Sequence, residues 1–414
     1  MKNIKSTIFF LIGFGTLLSC TEPYELSSDF FEEQIVIEAS ISNRLEKQRI
    51  KVSKTYPIDS ISYQPANTGT SVKVKNDQGA EYAFSYNEED STFISEQAFK
   101  GEPNITYTLE VATANDVYTA TSKFENSGEL DSISVNKAFN EDGVEGLQIA
   151  VNSNDVTNTN KYYRFKYEST YKVTAPYYSP YKAVIVGLEP EYPWMEPIEI
   201  VMQEYDEDIY HEVCYKSEAS KKAILTTTED FSESSLVDYP IKFISKADYS
   251  LNERYSIKIT QYIQSLEAYN FYKALNGLSS EGNILSPNQP GFVNGNIRSV
   301  NISNKKVIGF FEVVPTSSKR VYFNHQDFFP GEPIPEYFRE CEVRVFDKTD
   351  PLPPAGTGQG YKLQQYVTSN SLYLWKTESF ISQEMGFKNF FMVKPECGDC
   401  AVLANPEPPE FWEE

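Results

Sequence analysis

Apolar and polar positions alternate with a period of two along much of the chain, the spacing of strands that bury one face. From Gln34 to Phe124 the alternation falls into seven short runs, at Ile35–Ile41, Arg49–Ser53, Ser71–Lys75, Tyr82–Tyr86, Ser91–Ser95, Thr106–Thr113 and Val117–Phe124. Turn chemistry separates them: Asn76-Asp77-Gln78-Gly79 and Asn115-Asp116 tolerate left-handed backbone, and Gly101-Glu102-Pro103-Asn104 interrupts pairing. Seven strands in about ninety residues predict an immunoglobulin-like or fibronectin-III-like β-sandwich over residues 34–127. The Cys-Trp-Cys pattern of antibody domains is missing.

Asn126 to Asp131 reads as a hinge, and residues 128–414 as a larger β-rich domain with one short helix, so the fold class is mainly β. Its strands are expected at Ser132–Ala138, Gly146–Val151, Tyr162–Val173, Ala183–Val186, Ala223–Thr228, Ile241–Ser245, Tyr255–Ile263, Val307–Val314, Arg320–Asn324, Glu342–Phe346 and Asn389–Val393. The helix is expected over Ser265 to Leu278, with Ser265 as N-cap and Gly277 as terminator. Leu266, Tyr269, Tyr272 and Leu275 recur on one side of it and are expected to pack on a sheet. Two breaker-rich loops, Asn283 to Asn296 and Asp350 to Gly360, are long enough to carry partner contacts.

The first residues follow another pattern. Lys2 and Lys5 precede the apolar run Ile8 to Leu18, which is too short to span a bilayer and has the length of a secretory core. Leu17-Leu18-Ser19-Cys20 resembles a bacterial lipobox, with Leu18 a mild departure from the usual smaller residue. Residues 1–19 are therefore expected to be a lipoprotein signal peptide, Cys20 the lipid attachment, and residues 20–33 an acidic tether. Several acyl chains, each methylene contributing about 0.8 kcal/mol, hold a chain at a membrane without spanning it. Anchoring to a membrane, with the chain folded outside the cytoplasm, is expected.

Composition sharpens this picture. The 37 basic residues against 59 acidic give a net charge of −22, which argues against nucleic acid as a partner. Loss of Lys2 and Lys5 with the signal peptide makes the mature chain two units more negative still. With 40% apolar residues the chain is too hydrophobic to be a disordered acidic polymer, and 29 Tyr and 27 Phe favour strands.

Several blocks, taken in order, carry a family resemblance: the lipobox, IVIEASIS, SVKVKNDQGAEYAFS, RYSIKITQYIQSLEAYNFYKAL, GNIRSVNISNKKVIGFFEVVPTSSKRVYF, and the tail CGDC followed by PEFW. Together they resemble the DUF4249 lipoproteins of Bacteroidota. In the tail, Ala401-Val402-Leu403-Ala404 stands where basic or glycine-rich residues are common. The resemblance implies an outer-membrane lipoprotein, often encoded beside a TonB-dependent transporter, and brings no catalytic residues with it. It points to a non-catalytic accessory of such a transporter, in substrate capture or complex assembly. The alternatives are a structural or adhesive surface lipoprotein, and a surface hydrolase whose carboxylates the sequence does not assign.

Four cysteines remain after Cys20: Cys214, Cys341, Cys397 and Cys400. In an exported chain an even number favours disulfides. The preferred pairing is Cys214 with Cys341, closing a loop of about 127 residues worth at most roughly 5 kcal/mol in the chain-entropy model, and Cys397 with Cys400. Zinc held by His211, Cys214 and the CGDC tail, or free thiols, are the competing readings.

No HExxH, GxSxG or P-loop motif is present. Gly356-Thr357-Gly358-Gln359-Gly360 follows a Pro-rich stretch and opens no evident helix, so it reads as a surface loop; Asn140-Glu141-Asp142-Gly143 and Asp206-Glu207-Asp208 read as solvated turns rather than calcium loops. No cofactor and no metal are expected. Among the Pro-laced aromatics, Tyr177, Tyr178, Tyr181, Tyr192 and Trp194 form either a partner-binding surface or an aromatic-stapled loop packed on its own domain.

Overall fold

The computed structural model describes residues 33–55, 69–155, 158–186, 199–205, 210–231, 233–280, 293–303, 305–348, 358–379 and 387–414. Cys20, the signal peptide, the tether up to residue 32, Tyr192, Trp194, Asp206-Glu207-Asp208 and most of both long loops lie outside them.

All seven N-terminal strands form where the alternation places them: β1 (Ile35–Ser42), β2 (Arg49–Lys54), β3 (Ser71–Asn76), β4 (Glu81–Asn87), β5 (Thr92–Ser95), β6 (Tyr107–Ala112) and β7 (Val117–Ser122). There follow β8 (Ser132–Phe139), β9 (Glu145–Asn154), β10 (Tyr162–Thr174), β11 (Tyr181–Val186), β12 (Glu199–Glu204), β13 (Val213–Ala219), β14 (Ile224–Thr227), β15 (Ser235–Ser245) and β16 (Arg254–Gln264). The rest comprises α1 (Leu266–Ser280), β17 (Arg298–Ser299), β18 (Val307–Val314), β19 (Thr316–Asn324), α2 (His325–Phe328), β20 (Arg344–Asp347), α3 (Gln359–Thr368), β21 (Tyr373–Ser379), β22 (Phe387–Val393) and α4 (Pro395–Gly398).

The N-terminal strands lie in one continuous ladder, with β17 and β18 added from far along the chain, in the order β17-β7-β6-β3-β4-β5-β2-β1-β18. β18 runs parallel to β1. The ladder curls almost into a barrel, because the Val313 N–H on β18 donates to Ser122 Oγ on β7 at 2.8 Å. Alternate residues of β1 point inward, and Ile37, Ile41, Ile50, Val52, Val74 and Leu109 are fully buried there. β18 is buried on both faces, which its almost unbroken apolar sequence VIGFFEVV anticipates.

Pro315 alone separates β18 from β19, so the chain passes directly from the first sheet into the second, ordered β13-β10-β16-β19 with β14 also on β10. A third sheet, β15-β9-β8, packs face to face on the second. Leu147, Ile149 and Val151 from β9 meet Tyr163, Phe165 and Ile257 in that core. A smaller cluster joins Phe346, Leu363, Leu374 and Phe390 from β20, α3, β21 and β22.

Four expectations need correction. The disulfides are Cys214–Cys400 and Cys341–Cys397, with Cα separations of 5.6 and 5.8 Å, not Cys214–Cys341 with Cys397–Cys400. The backbone decides this: Cys400 N donates to His211 O at 3.0 Å and Tyr215 bridges to Asn405, which lays Cys400 beside β13. Gly277 does not end α1, which continues to Ser280, although Ser265 does cap it through its hydroxyl to Ala268 N at 3.2 Å.

The buried face of α1 also differs. Ala268 and Phe271 are buried, whereas Leu266 is 51% and Leu275 36% exposed. A strict three-residue row drifts by roughly 60° per step around a 3.6-residue helix, so Leu266 and Leu275 cannot share a face. Finally, the Gly356 to Gly360 stretch does lead into a helix, α3, with Gly358 at its N-cap and Leu363, Tyr366 and Val367 facing the small cluster. The expected single helix is thus joined by α3 and two single-turn helices, α2 and α4.

Candidate functional site

The structure separates the expected site residues. Tyr177 packs edge-on against Trp375 with ring centroids 4.8 Å apart, and its N–H donates to Cys397 O at 3.0 Å. Tyr178 packs on the second core, and Tyr181 opens β11 with 39% of its surface exposed. His211 uses its backbone, donating to Asp399 Oδ1 at 3.1 Å, and the four cysteines are consumed in disulfides. No group of three or more His, Cys, Asp or Glu side chains among the described residues is placed to hold a metal ion. The turn at Asn140 is internally satisfied, with Asn140 Oδ1 accepting from the Asp142 and Val144 N–H groups.

Another constellation occupies the junction between the first two sheets. On β10, Tyr163 and Phe165 face the second core, which leaves Arg164 on the opposite face of the strand. That face meets the outer face of the first sheet, where Ser40 and Glu312 are register partners on β1 and β18. Helix α1 closes the wedge between them, its Phe271 ring 5.3 Å from Phe310.

Arg164 is 1% and Glu312 3% exposed. Arg164 Nη2 donates to Glu312 Oε1 at 2.5 Å. The guanidinium carbon lies 4.1 Å from the Tyr262 ring centroid and 4.0 Å from that of Tyr272, so the cation is sandwiched by two π faces. Tyr262 is the cross-strand partner of Arg164, which places its ring there. Glu312 also accepts from Ser40 Oγ at 3.1 Å, Tyr272 Oη at 3.1 Å and Gln264 Nε2 at 3.2 Å.

A charge pair this dry survives only because nearly every lone pair of the carboxylate is used. Burial works against the Arg164 charge, but Glu312 and the tyrosine oxygens outweigh it and hold the guanidinium above its usual pKa. Burial raises the phenol pKa of both Tyr262 and Tyr272, so these rings stay neutral.

Two cavities flank the pair. One, of about 350 Å³, lies on the Gln264 and Ser265 side and is lined by Lys123, Lys161, Glu125 and Glu312 among others. The other, of about 400 Å³, opens between β1, β2, β18 and α1. Phe271, Leu275, Ile308 and Phe310 supply its apolar wall. Its charged lining is Arg49, Lys51, Arg164 and Lys166 against Glu38 alone. Lys166 stands at the rim, its pKa lowered by desolvation and by the neighbouring Arg164 charge.

Gly309 shapes the floor of this second cavity. It adopts φ +143°, and a Cβ there would sit 1.9 Å from Ile37 O, so β18 approaches β1 only with glycine at this point.

Residues 21–320 match the family described as "Domain of unknown function (DUF4249)". The chain belongs to the DUF4249 family. No curated protein matches it. Among solved structures, the DUF4249 chain is similar to a mutant Salmonella alpha-2-macroglobulin at 6% identity and TM-score 0.17, covering 57% of this chain and 14% of that one. A putative membrane anchored protein from Corynebacterium diphtheriae aligns at 14% identity and TM-score 0.14, over 56% of this chain and 55% of that one. The B domain of a biofilm associated protein aligns at 9% identity and TM-score 0.15, over 71% and 86%. The DUF4249 match covers β1, β10, β16, β18 and all of α1, so Arg164, Gln264, Tyr272 and Glu312 lie within it.

Sequence reasoning missed this site, yet two signals were present. Arg164 interrupts the aromatic run YYRFKY, and Glu312 interrupts VIGFFEVV. A charge flanked by apolar residues in a strand must find an opposite partner when it is buried.

Proposed function

We propose that this DUF4249 chain is a non-catalytic lipoprotein of the outer membrane that captures a small ligand beside a TonB-dependent transporter. The observation that carries the reading is the open cavity of about 400 Å³ at the junction of two sheets and a helix. Its size, apolar walls and few convergent polar groups are those of a ligand pocket. The Arg164–Glu312 pair beside it makes a rigid frame of cavity wall, since its hydrogen-bond partners Ser40, Gln264 and Tyr272 sit on three different elements.

The lipobox at Cys20 and the acidic tether support anchoring, and the acidic body supports a protein held off an anionic membrane surface at the end of that tether. A carrier needs no nucleophile, and the thiols of the described chain are spent in structural bridges.

Gentle detergent extraction of the anchored protein, followed by affinity isolation and mass spectrometry, tests the partner. Recovery of a large outer-membrane barrel in stoichiometric amount is expected. Recovery of the lipoprotein alone across several mild detergents overturns the transporter association, and membrane retention of a Cys20→Ser variant overturns the anchor.

A further inference from the structure

We propose that the 400 Å³ cavity takes a small organic carboxylate with an aryl or short alkyl body, its carboxylate met at the Lys166 rim and its body laid against Phe271, Leu275 and Phe310. This rests on the capture reading and narrows it to a ligand class.

Three observations carry it. The first is local charge. In a chain of net charge −22 this cavity is lined by four basic residues and one acid. Asp90 pairs with Arg49 and Glu312 with Arg164, and Glu38 is the cross-strand partner of Lys51. Lys166 forms no ion pair among the described residues, so the surplus is one positive charge at the rim, which suits a monoanion better than a phosphate dianion.

The second is unsatisfied hydrogen bonding. Arg164 Nε and Thr92 Oγ1 are both shielded from solvent and both lack a hydrogen-bond partner, and both residues line this cavity. Each such orphan costs on the order of 1–3 kcal/mol, part of which an entering acceptor recovers. A carboxylate offers these donors two charged oxygens, whereas a neutral amide offers one uncharged oxygen and brings donors of its own.

The third is the wall opposite. Phe271, Leu275, Ile308 and Phe310 give an apolar surface on the α1 and β18 side, while the π faces of Tyr262 and Tyr272 are already taken by Arg164. An anionic head and an apolar body on one small molecule match the two sides of the cavity. Leu275, 36% exposed and one turn along α1 from Phe271, is explained as part of the ligand's bed rather than of the core.

The test uses the full-length lipoprotein in detergent, titrated calorimetrically with benzoate, 4-phenylbutyrate and hexanoate, with 4-phenylbutyramide as the neutral match and an empty-micelle blank. The carboxylates are expected to bind, 4-phenylbutyrate about tenfold more tightly than its amide, with affinity falling as salt rises. Lys166→Met should remove most of that preference and leave amide binding unchanged, while Leu275→Ala should weaken acid and amide alike. Both positions are at the surface, so an unchanged melting midpoint shows that the fold is kept.

Equal affinity for acid and amide, displacement of 4-phenylbutyrate by millimolar inorganic phosphate, or no binding by any of the three acids overturns the ligand class. If the transporter is still recovered in any of those cases, the transporter association stands and this inference alone falls. If the acids bind and no barrel is recovered, the ligand class stands and the transporter association alone falls.

Discussion

Neutralising Glu312 tests the physical logic of the junction. In Glu312→Gln the shape is kept, but the Arg164 guanidinium, 1% exposed, loses the only carboxylate within ion-pair distance among the described residues. One oxygen of the new amide can still accept from Arg164, Ser40 and Tyr272, but its nitrogen then faces Gln264 Nε2, a donor against a donor. Gln264 can relieve this by turning over, because its Oε1 has no partner at present. The residual cost is therefore the unpaired buried cation, which places the loss near about 3 kcal/mol, at the low end of what breaking a buried pair costs. Arg164→Met should cost a similar amount, and the double variant clearly less than the sum, with a coupling of at least about 2 kcal/mol. Urea unfolding of the oxidised chain, followed by far-UV circular dichroism and tyrosine fluorescence, measures all three, with the slope against urea unchanged. A loss below about 0.5 kcal/mol in Glu312→Gln, or additive single variants, would falsify the view that this pair frames the cavity.

Peptide mapping without reductant should recover linked peptides containing Cys214 with Cys400 and Cys341 with Cys397; any Cys397–Cys400 peptide as the main species contradicts the fold. The two bridges join residues 186 and 56 apart in sequence, so removing them singly should cost at most about 5 and 4 kcal/mol respectively in the chain-entropy model, the longer loop the more. Gly309→Ala should cost at least about 3 kcal/mol or prevent folding, because its Cβ meets Ile37 O. Gly277→Ala, on an exposed turn of α1 with nothing within 4 Å of the new methyl, should instead stabilise by about 0.5–1 kcal/mol in the same melts. His325 is buried with neither ring nitrogen bonded, and burial lowers its pKa from 6.5, Lys246 adding to the effect and Glu332 opposing it. Below that value the unfolded chain takes up a proton that the folded chain resists, so stability should fall as pH drops from 6.5 towards the folded pKa, and His325→Phe should flatten that part of the profile; an identical profile in the variant contradicts it.

Much of the fold was legible because it is written in local periodicity. The seven N-terminal strands, the long strands at β10 and β16 and the Ser265 cap all follow from alternation or from a single side chain. What escaped is non-local. The apolar run of β18 announced a strand, but nothing in it names β1, whose Ser40 is 272 residues from Glu312. That pairing is what brings the first sheet to the second, and without it the site has no location. Disulfide connectivity is hidden for the same reason, since four cysteines allow three arrangements and only the docking of the tail on β13 selects one. The aromatic-rich stretch drew attention by composition, yet Tyr177 and Tyr178 are spent on Trp375 and the second core. The residues that build the cavity are individually ordinary, and only the sign and placement of Arg164 and Glu312 within apolar runs marked them.

Photolabelling with 4-benzoylbenzoate, a carboxylate with an aryl ketone body, tests the proposed capture site most directly. Irradiation of the full-length protein followed by peptide mapping should place the label on the β18 segment around Ile308 to Phe310 and on α1 around Phe271 to Leu275, and 4-phenylbutyrate should compete it away. Labelling concentrated on the aromatic stretch around Tyr177 to Tyr181, or spread over the surface and indifferent to competitor, would contradict the assignment of this cavity as the place where the protein holds its ligand.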